Sequence, residues 1–125
     1  MGGGHAVIAN NQINLSTPSA LNGIEVSQIN AIPVTSNITI SNNFVQSTAG
    51  TGFTGINMHS ASPSVGTICL SLDNNTVITV PGATGYSLSV TGSGVFNIDS
   101  IQGNVGGPVS ATGNVNLVAP GTCGN

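Results

Sequence analysis

Apolar and polar residues alternate along most of this chain, in runs that are short. Ile38/Ile40, Ile56/Met58, Leu70/Leu72, Val77/Thr79, Leu88/Val90 and Val115/Leu117 each sit two residues apart. A period of two turns one face of an extended chain inward and the other outward, so these runs predict strands of three to five residues. The runs also recur. Ile8-Ala9-Asn10-Asn11-Gln12-Ile13 returns as Ile40-Ser41-Asn42-Asn43-Phe44-Val45 and again as Leu72-Asp73-Asn74-Asn75-Thr76-Val77, 32 residues on each time (8 to 40, 40 to 72). A second marker, Gly23-Ile24-Glu25-Val26, returns as Gly55-Ile56-Asn57-Met58 and, two residues early, as Gly85-Tyr86-Ser87-Leu88. In a degraded fourth copy, Ile101-Gln102-Gly103-Asn104 holds the first marker, and Val115-Asn116-Leu117 is assigned to the second.

Short strands repeated every 28 to 32 residues match a solenoid of about four coils, each made of three strands joined by turns. Each strand then pairs in parallel with its counterpart one coil away, at about 4.8 Å. Inward residues stack on like residues, Ile8 on Ile40 on Leu72. One coil cannot bury its own apolar face, so stability must come from stacking. The Asn pairs (Asn10-Asn11, Asn42-Asn43, Asn74-Asn75, with Asn104 in the fourth copy) fit the turns. Asn adopts the left-handed conformation cheaply, and its amide both donates and accepts. One Asn of each pair is expected to point inward and form a ladder of stacked amides. The alternative is that both are solvated turn residues. The rival fold is an antiparallel β-sandwich of paired hairpins.

Composition narrows the function. The 125 residues suit one domain, and 38% are hydrophobic, enough for a core. Lys and Arg are absent, and the acids are Glu25, Asp73 and Asp99 alone. Nucleic-acid binding draws its affinity from cations set against phosphates, and electrostatic attachment to anionic lipid does the same, so neither is expected. No apolar run approaches the 18 residues of a membrane span. The start, Met1-Gly2-Gly3-Gly4-His5, has neither the basic nor the apolar stretch of an export signal, which suggests a segment of a longer exported protein. The expected organisation is a leader at 1–5, the solenoid at 6–118 and a tail or cap at 119–125.

The spacing I-x-N-N-x-[IV] followed by G-I-x-V resembles the right-handed parallel β-helix proteins of the pectate-lyase-like superfamily. Among them it is most similar to bacterial surface adhesins and autotransporter-type passengers. The run Ile68-Cys69-Leu70-Ser71-Leu72, with Gly121-Thr122-Cys123-Gly124, resembles the C-terminal close of large secreted β-helix proteins. This resemblance implies a structural or adhesive solenoid at the cell surface or outside the cell, taken from the end of a longer stack. Its expected partners are preceding coils, other copies of itself, and a surface glycan or host protein. Carbohydrate-binding or carbohydrate-active modules are a second implication, and an ice-binding solenoid a third.

Cys69 and Cys123 lie in no metal-ligand spacing. Paired, they would close a loop worth about 4 kcal/mol in the chain-entropy model; two buried free thiols are equally open. The equivalent places lie two coils apart, roughly 10 Å, beyond the limit of about 7 Å between bridged Cα atoms. A bridge therefore requires the tail to fold back.

The chemistry of a carbohydrate enzyme is hard to assemble from these residues. Lyases of this fold use an Arg or Lys base, absent here, and glycoside hydrolysis needs two carboxylates about 5 to 10 Å apart. The three acids occupy different places in their coils. His5 falls in the leader, and His59 is read as a loop residue with no acid beside it. No phosphate-loop pattern occurs. The expected enzyme, cofactor and metal content is none. The segments 48–54, with Phe53, and 61–66 are the expected variable surface. A Thr row for ice binding starts at Thr35 and Thr67 but does not extend.

Overall fold

The computed structural model describes residues 4–16, 22–29, 31–48 and 52–123. All regular structure in them is strand. The strands are β1 (His5–Ala9), β2 (Gln12–Leu15), β3 (Asn22–Gln28), β4 (Thr35–Ser41), β5 (Phe44–Ser47), β6 (Thr54–Ser60), β7 (Thr67–Asp73), β8 (Thr76–Ile78), β9 (Thr84–Val90), β10 (Val95–Gln102), β11 (Val109–Thr112) and β12 (Val115–Leu117). Several reach seven or eight residues, longer than the apolar alternation indicates, because polar residues at their ends stay in the ladder. β1 starts at His5, so that histidine is a strand residue paired with Asn37 rather than part of a leader.

Up to β10, every third strand joins the same sheet. The first sheet runs β1-β4-β7-β10-β12, the second β2-β5-β8 and the third β3-β6-β9-β11. All pairs are parallel, which rules out the antiparallel sandwich for the described residues and is consistent with a parallel β-solenoid. The register follows the sequence repeat. Ile8 pairs with Ile40, Ile40 with Leu72 and Leu72 with Ile101; Ile24 pairs with Ile56 and Ile56 with Tyr86.

The fourth copy departs from expectation. Val109–Thr112 holds the second-marker position, pairing with Tyr86–Ser89, whereas Val115–Leu117 moves on to the first sheet and pairs with Phe96–Ile98. The turn before β11, with Gly103, Gly106 and Gly107 all at positive φ, shortens the path, and alternation alone does not distinguish two strands on different sheets. β10 also carries an extra residue, Asp99, between Ile98 and Ser100.

The core is one cluster in which Ile40, Val45, Ile56, Met58, Leu70, Leu72, Tyr86 and Phe96 are fully buried. Phe53 belongs to it, at 1% exposure, so the segment expected to be variable surface supplies a core plug. A large aromatic gains more from burial than a loop gains from displaying it. The glycine opening each second marker has a packing reason. A Cβ on Gly23 would stand 2.6 Å from the carbonyl of Gly55, and one on Gly55 2.6 Å from that of Gly85. Consecutive repeats approach too closely there for any side chain.

Candidate functional site

The two asparagines of each pair divide the work. Asn10, Asn42 and Asn74 have φ of 59°, 55° and 54°, and Gly103 takes the same place at 66°. This left-handed residue turns the chain between the first and second sheets, and the Asn after it projects into the stack. Asn43 and Asn75 are 2% and 0% exposed. The amide Nδ2 of Asn11 donates to Oδ1 of Asn43 at 2.9 Å, Asn43 to Asn75 at 2.9 Å, and Asn75 to Asn104 at 3.0 Å. The backbone N–H of Asn11, Asn43 and Asn75 donates to the same oxygens. Each of the next three amides also returns a bond to a strand carbonyl one repeat back: Asn43 to Ile8, Asn75 to Ile40 and Asn104 to Leu72. An unmade bond in such a place costs about 1–3 kcal/mol per group, so the ladder fixes register as well as stability. Tyr86 adds to it from the third sheet, its hydroxyl sharing one proton between the carbonyls of Asn75 and Val105 at 2.9 and 2.7 Å. Burial, partly offset by the bond to Val105, pushes its pKa up to about 12.

The outer face of the third sheet carries a polar lattice. Glu25, Asn57, Ser87 and Ser110 form one register row, and Ser27, His59, Ser89 and Thr112 the next. Register places Ser27 beside His59, their Oγ and Nε2 atoms 2.9 Å apart, and Nδ1 of His59 lies 3.7 Å from Oε1 of Glu25. Asn22 holds the other carboxylate oxygen at 2.7 Å. His59 is thus a strand residue with an acid beside it, a correction to the sequence reading. It was missed because Glu25 lies one repeat away. The order of a nucleophile, a base and an orienting acid is present. The cluster is nonetheless open to solvent, and the β6 amides around it are committed to parallel ladders instead of converging on a point where charge would develop. Its evident work is to tie β3 to β6.

The other acids are occupied separately. Asp73 accepts from Ser100 Oγ at 2.8 Å and from the Gln102 amide at 3.0 Å. Asp99 is buried and accepts from the Cys123 amide at 3.5 Å. Among the described residues no three His, Cys, Asp or Glu side chains gather in a metal-holding group. No helix among them is long and apolar enough to cross a membrane.

The tail does fold back. Cys69 sits on the outer side of β7, between the inward Ile68 and Leu70, and forms a disulfide with Cys123 across a Cα separation of 5.6 Å. The carbonyl of Cys123 accepts from Asn37 on β4 at 3.4 Å. The last turn therefore crosses β10 and β7 and reaches β4. This buries Cys69 and resolves the two-coil distance problem.

The opposite end is different. Among the described residues nothing pairs with the outer edges of β1, β2 and β3. Asn11 ends the ladder exposed, its Oδ1 accepting from no described donor. Beside this end lies a cleft of about 390 Å³ lined by Val26, Ser27, Gln28, Ile29, Ser36, Ile38 and Ile68. Gln28 is 5% exposed; its Oε1 accepts from Ser60 and Ser64, and its Nε2 is buried with no partner among the described residues. Ser64, in the second expected variable segment, is fully buried through this bond.

Comparison with family models, with curated proteins and with solved structures finds no match to this chain.

Proposed function

We propose that this chain is a right-handed parallel β-helix of about four coils that acts as a non-catalytic structural and adhesive segment of an exported, surface-located protein, close to bacterial adhesins and passengers in kind. The observation that carries the reading is the amide ladder from Asn11 to Asn104, running along the corner between the first and second of three parallel sheets. It is a device for rigidity and fixed register, and it leaves the outer faces to polar residues, few of them charged. The solenoid works by stacking through its N-terminal end, where strand edges remain unpaired, and it holds no cofactor.

The outer lattice of Ser, Asn, Thr and His on the third sheet favours one second reading, a carbohydrate-binding face, because hydroxyls and amides at regular strand spacing match sugar hydroxyls. The ice-binding reading draws no support, since the Thr35–Thr67 row passes to Val95. Beads coated with the protein, presented to polysaccharides and to host cells, test both readings. Adhesion without release of reducing or unsaturated sugar ends is expected. Sugar release that disappears in Glu25→Gln would overturn the non-catalytic reading.

A further inference from the structure

We infer that the N-terminal end face, made by the edges of β1, β2 and β3 with the cleft beside Gln28, is the interface of a closed head-to-head dimer with a second copy of this chain. This rests on the stacking reading above and adds a partner and a symmetry to it.

The shapes of the two ends carry the first step. At the N-terminal end, strands of five, four and seven residues begin all three sheets together, so the face is flush. At the other end the sheets stop at different levels. β12, of three residues, lies one strand beyond β10, while the third sheet ends at the four-residue β11 and the second is continued only by a bridge at Val105. A head-to-tail contact would meet β12 first and leave the other two sheets a strand spacing apart, about 4.8 Å. A two-fold axis sets flush against flush, with β3 antiparallel to β3 of the second copy. β1 then faces β2 of the second copy and the same patch is used on both, which is the condition for a closed pair.

The same end holds both a recess and a projection. Within the first sheet, the inward row reads Ser36, Ile68, Phe96, and Gly4 precedes β1 where Ser36 precedes Asn37. Side-chain volume falls toward the N-terminal end, and this fall opens the cleft. Ile29 on its rim is 63% exposed and Ile32 nearby 57%. A patch with an apolar hole and an apolar knob is self-complementary.

Among the described residues nothing guards the edge. Natural edges are blunted by Lys, Pro or bulges, and β1, β2 and β3 contain none of these. The carboxylate in these strands, Glu25, is engaged by Asn22 and His59. An end face about 23 Å along β3 covers on the order of 500 Å² per copy, or about 1,000 Å² in total. That area lies at the lower limit for a specific interface, so the dimer is a weak one that depends on concentration.

Sedimentation equilibrium of the full chain across the micromolar range tests this, with Ser27→Lys at the β3 edge and Ser89→Lys on the same outer face away from it. The expected result is a mass that rises from 12.3 kDa to twice that and stops. Ser27→Lys should weaken association at least tenfold, with melting of the dilute protein lowered only by loss of the exposed Ser27–His59 bond, while Ser89→Lys leaves association intact. Growth past the dimer would overturn the head-to-head arrangement and keep end stacking. A monomer at every concentration would overturn both. Equal weakening by the two lysines would move the contact to the sheet face and overturn the edge interface.

Discussion

The two ends of this molecule solve the same problem in opposite ways. Any stack of parallel strands finishes in unpaired N–H and C=O groups. At the C-terminal end the strands shorten to four and three residues, glycines at positive φ bend the chain away, and a disulfide fastens the tail across the outer face as far as β4. At the N-terminal end the strands are longer, flush and free of Lys and Arg, and the amide ladder stops at an exposed Asn11 with an acceptor to spare among the described residues. The difference teaches that, among the described residues, the stack holds its interior with one end fastened and the other unpaired. The repeat itself supplies enough stacking to hold its interior, which leaves one end available for contact.

The sharpest way to break the comparison is to unfasten the closed end. Replacing Cys69 and Cys123 together with serine removes a crosslink spanning 54 residues and should cost about 4 kcal/mol in urea unfolding. Hydrogen exchange should show the loss first in β10 to β12. Equal loss of protection in β1 to β3 would mean that the ends are not independent.

Next comes the ladder, where depth predicts the effect. Asn75→Ala removes bonds to Ile40, Asn43 and Asn104 in a site without solvent, and should cost about 3 kcal/mol. Asn11→Ala, at the open end, should cost under about 1 kcal/mol. Similar values for the two would place solvent inside the stack. Gly103→Asn separates turn from ladder: it restores the residue of the other repeats at a left-handed φ, and its stability should stay within about 1 kcal/mol of the parent.

Tyr86 gives a pH-dependent step of intermediate size. Its folded pKa, about 12, exceeds the ordinary value of 10.0. The stabilisation is therefore complete below pH 10 and is lost as pH rises through the folded value. Tyr86→Phe should remove that alkaline step and cost about 1 kcal/mol at neutral pH, because the carbonyls of Asn75 and Val105 keep backbone donors from Val105 and Val77. An unchanged alkaline titration in the variant would put the step elsewhere. The smallest effect belongs to the exposed cluster. His59→Gln should change stability by no more than about 0.5 kcal/mol, read from the shift in unfolding midpoint.

Much of this was legible from residue order. The 32-residue step returned as register, because a parallel stack pairs each residue with its copy one repeat away. The Asn ladder was legible for the same reason, although which Asn turned and which pointed inward needed the backbone angles. Phe53 was not legible, since a lone aromatic in a Gly- and Thr-rich stretch looks the same on a surface or in a core. Nor was the cluster of Ser27, His59 and Glu25, although aligning Ser27 with His59 at the repeat step carries a signal for it.

The sequence by itself determined that the chain is built of parallel strands in a repeat, because periodic burial and a conformation open to Asn and Gly are local properties that recur with the residues that cause them. Only the tertiary structure decided how the stack finishes. Whether Val115–Leu117 starts a new level, whether Cys123 reaches Cys69, and which strand edges stay open depend on how far a glycine-rich path of this length carries the chain in space. No local pattern encodes that distance.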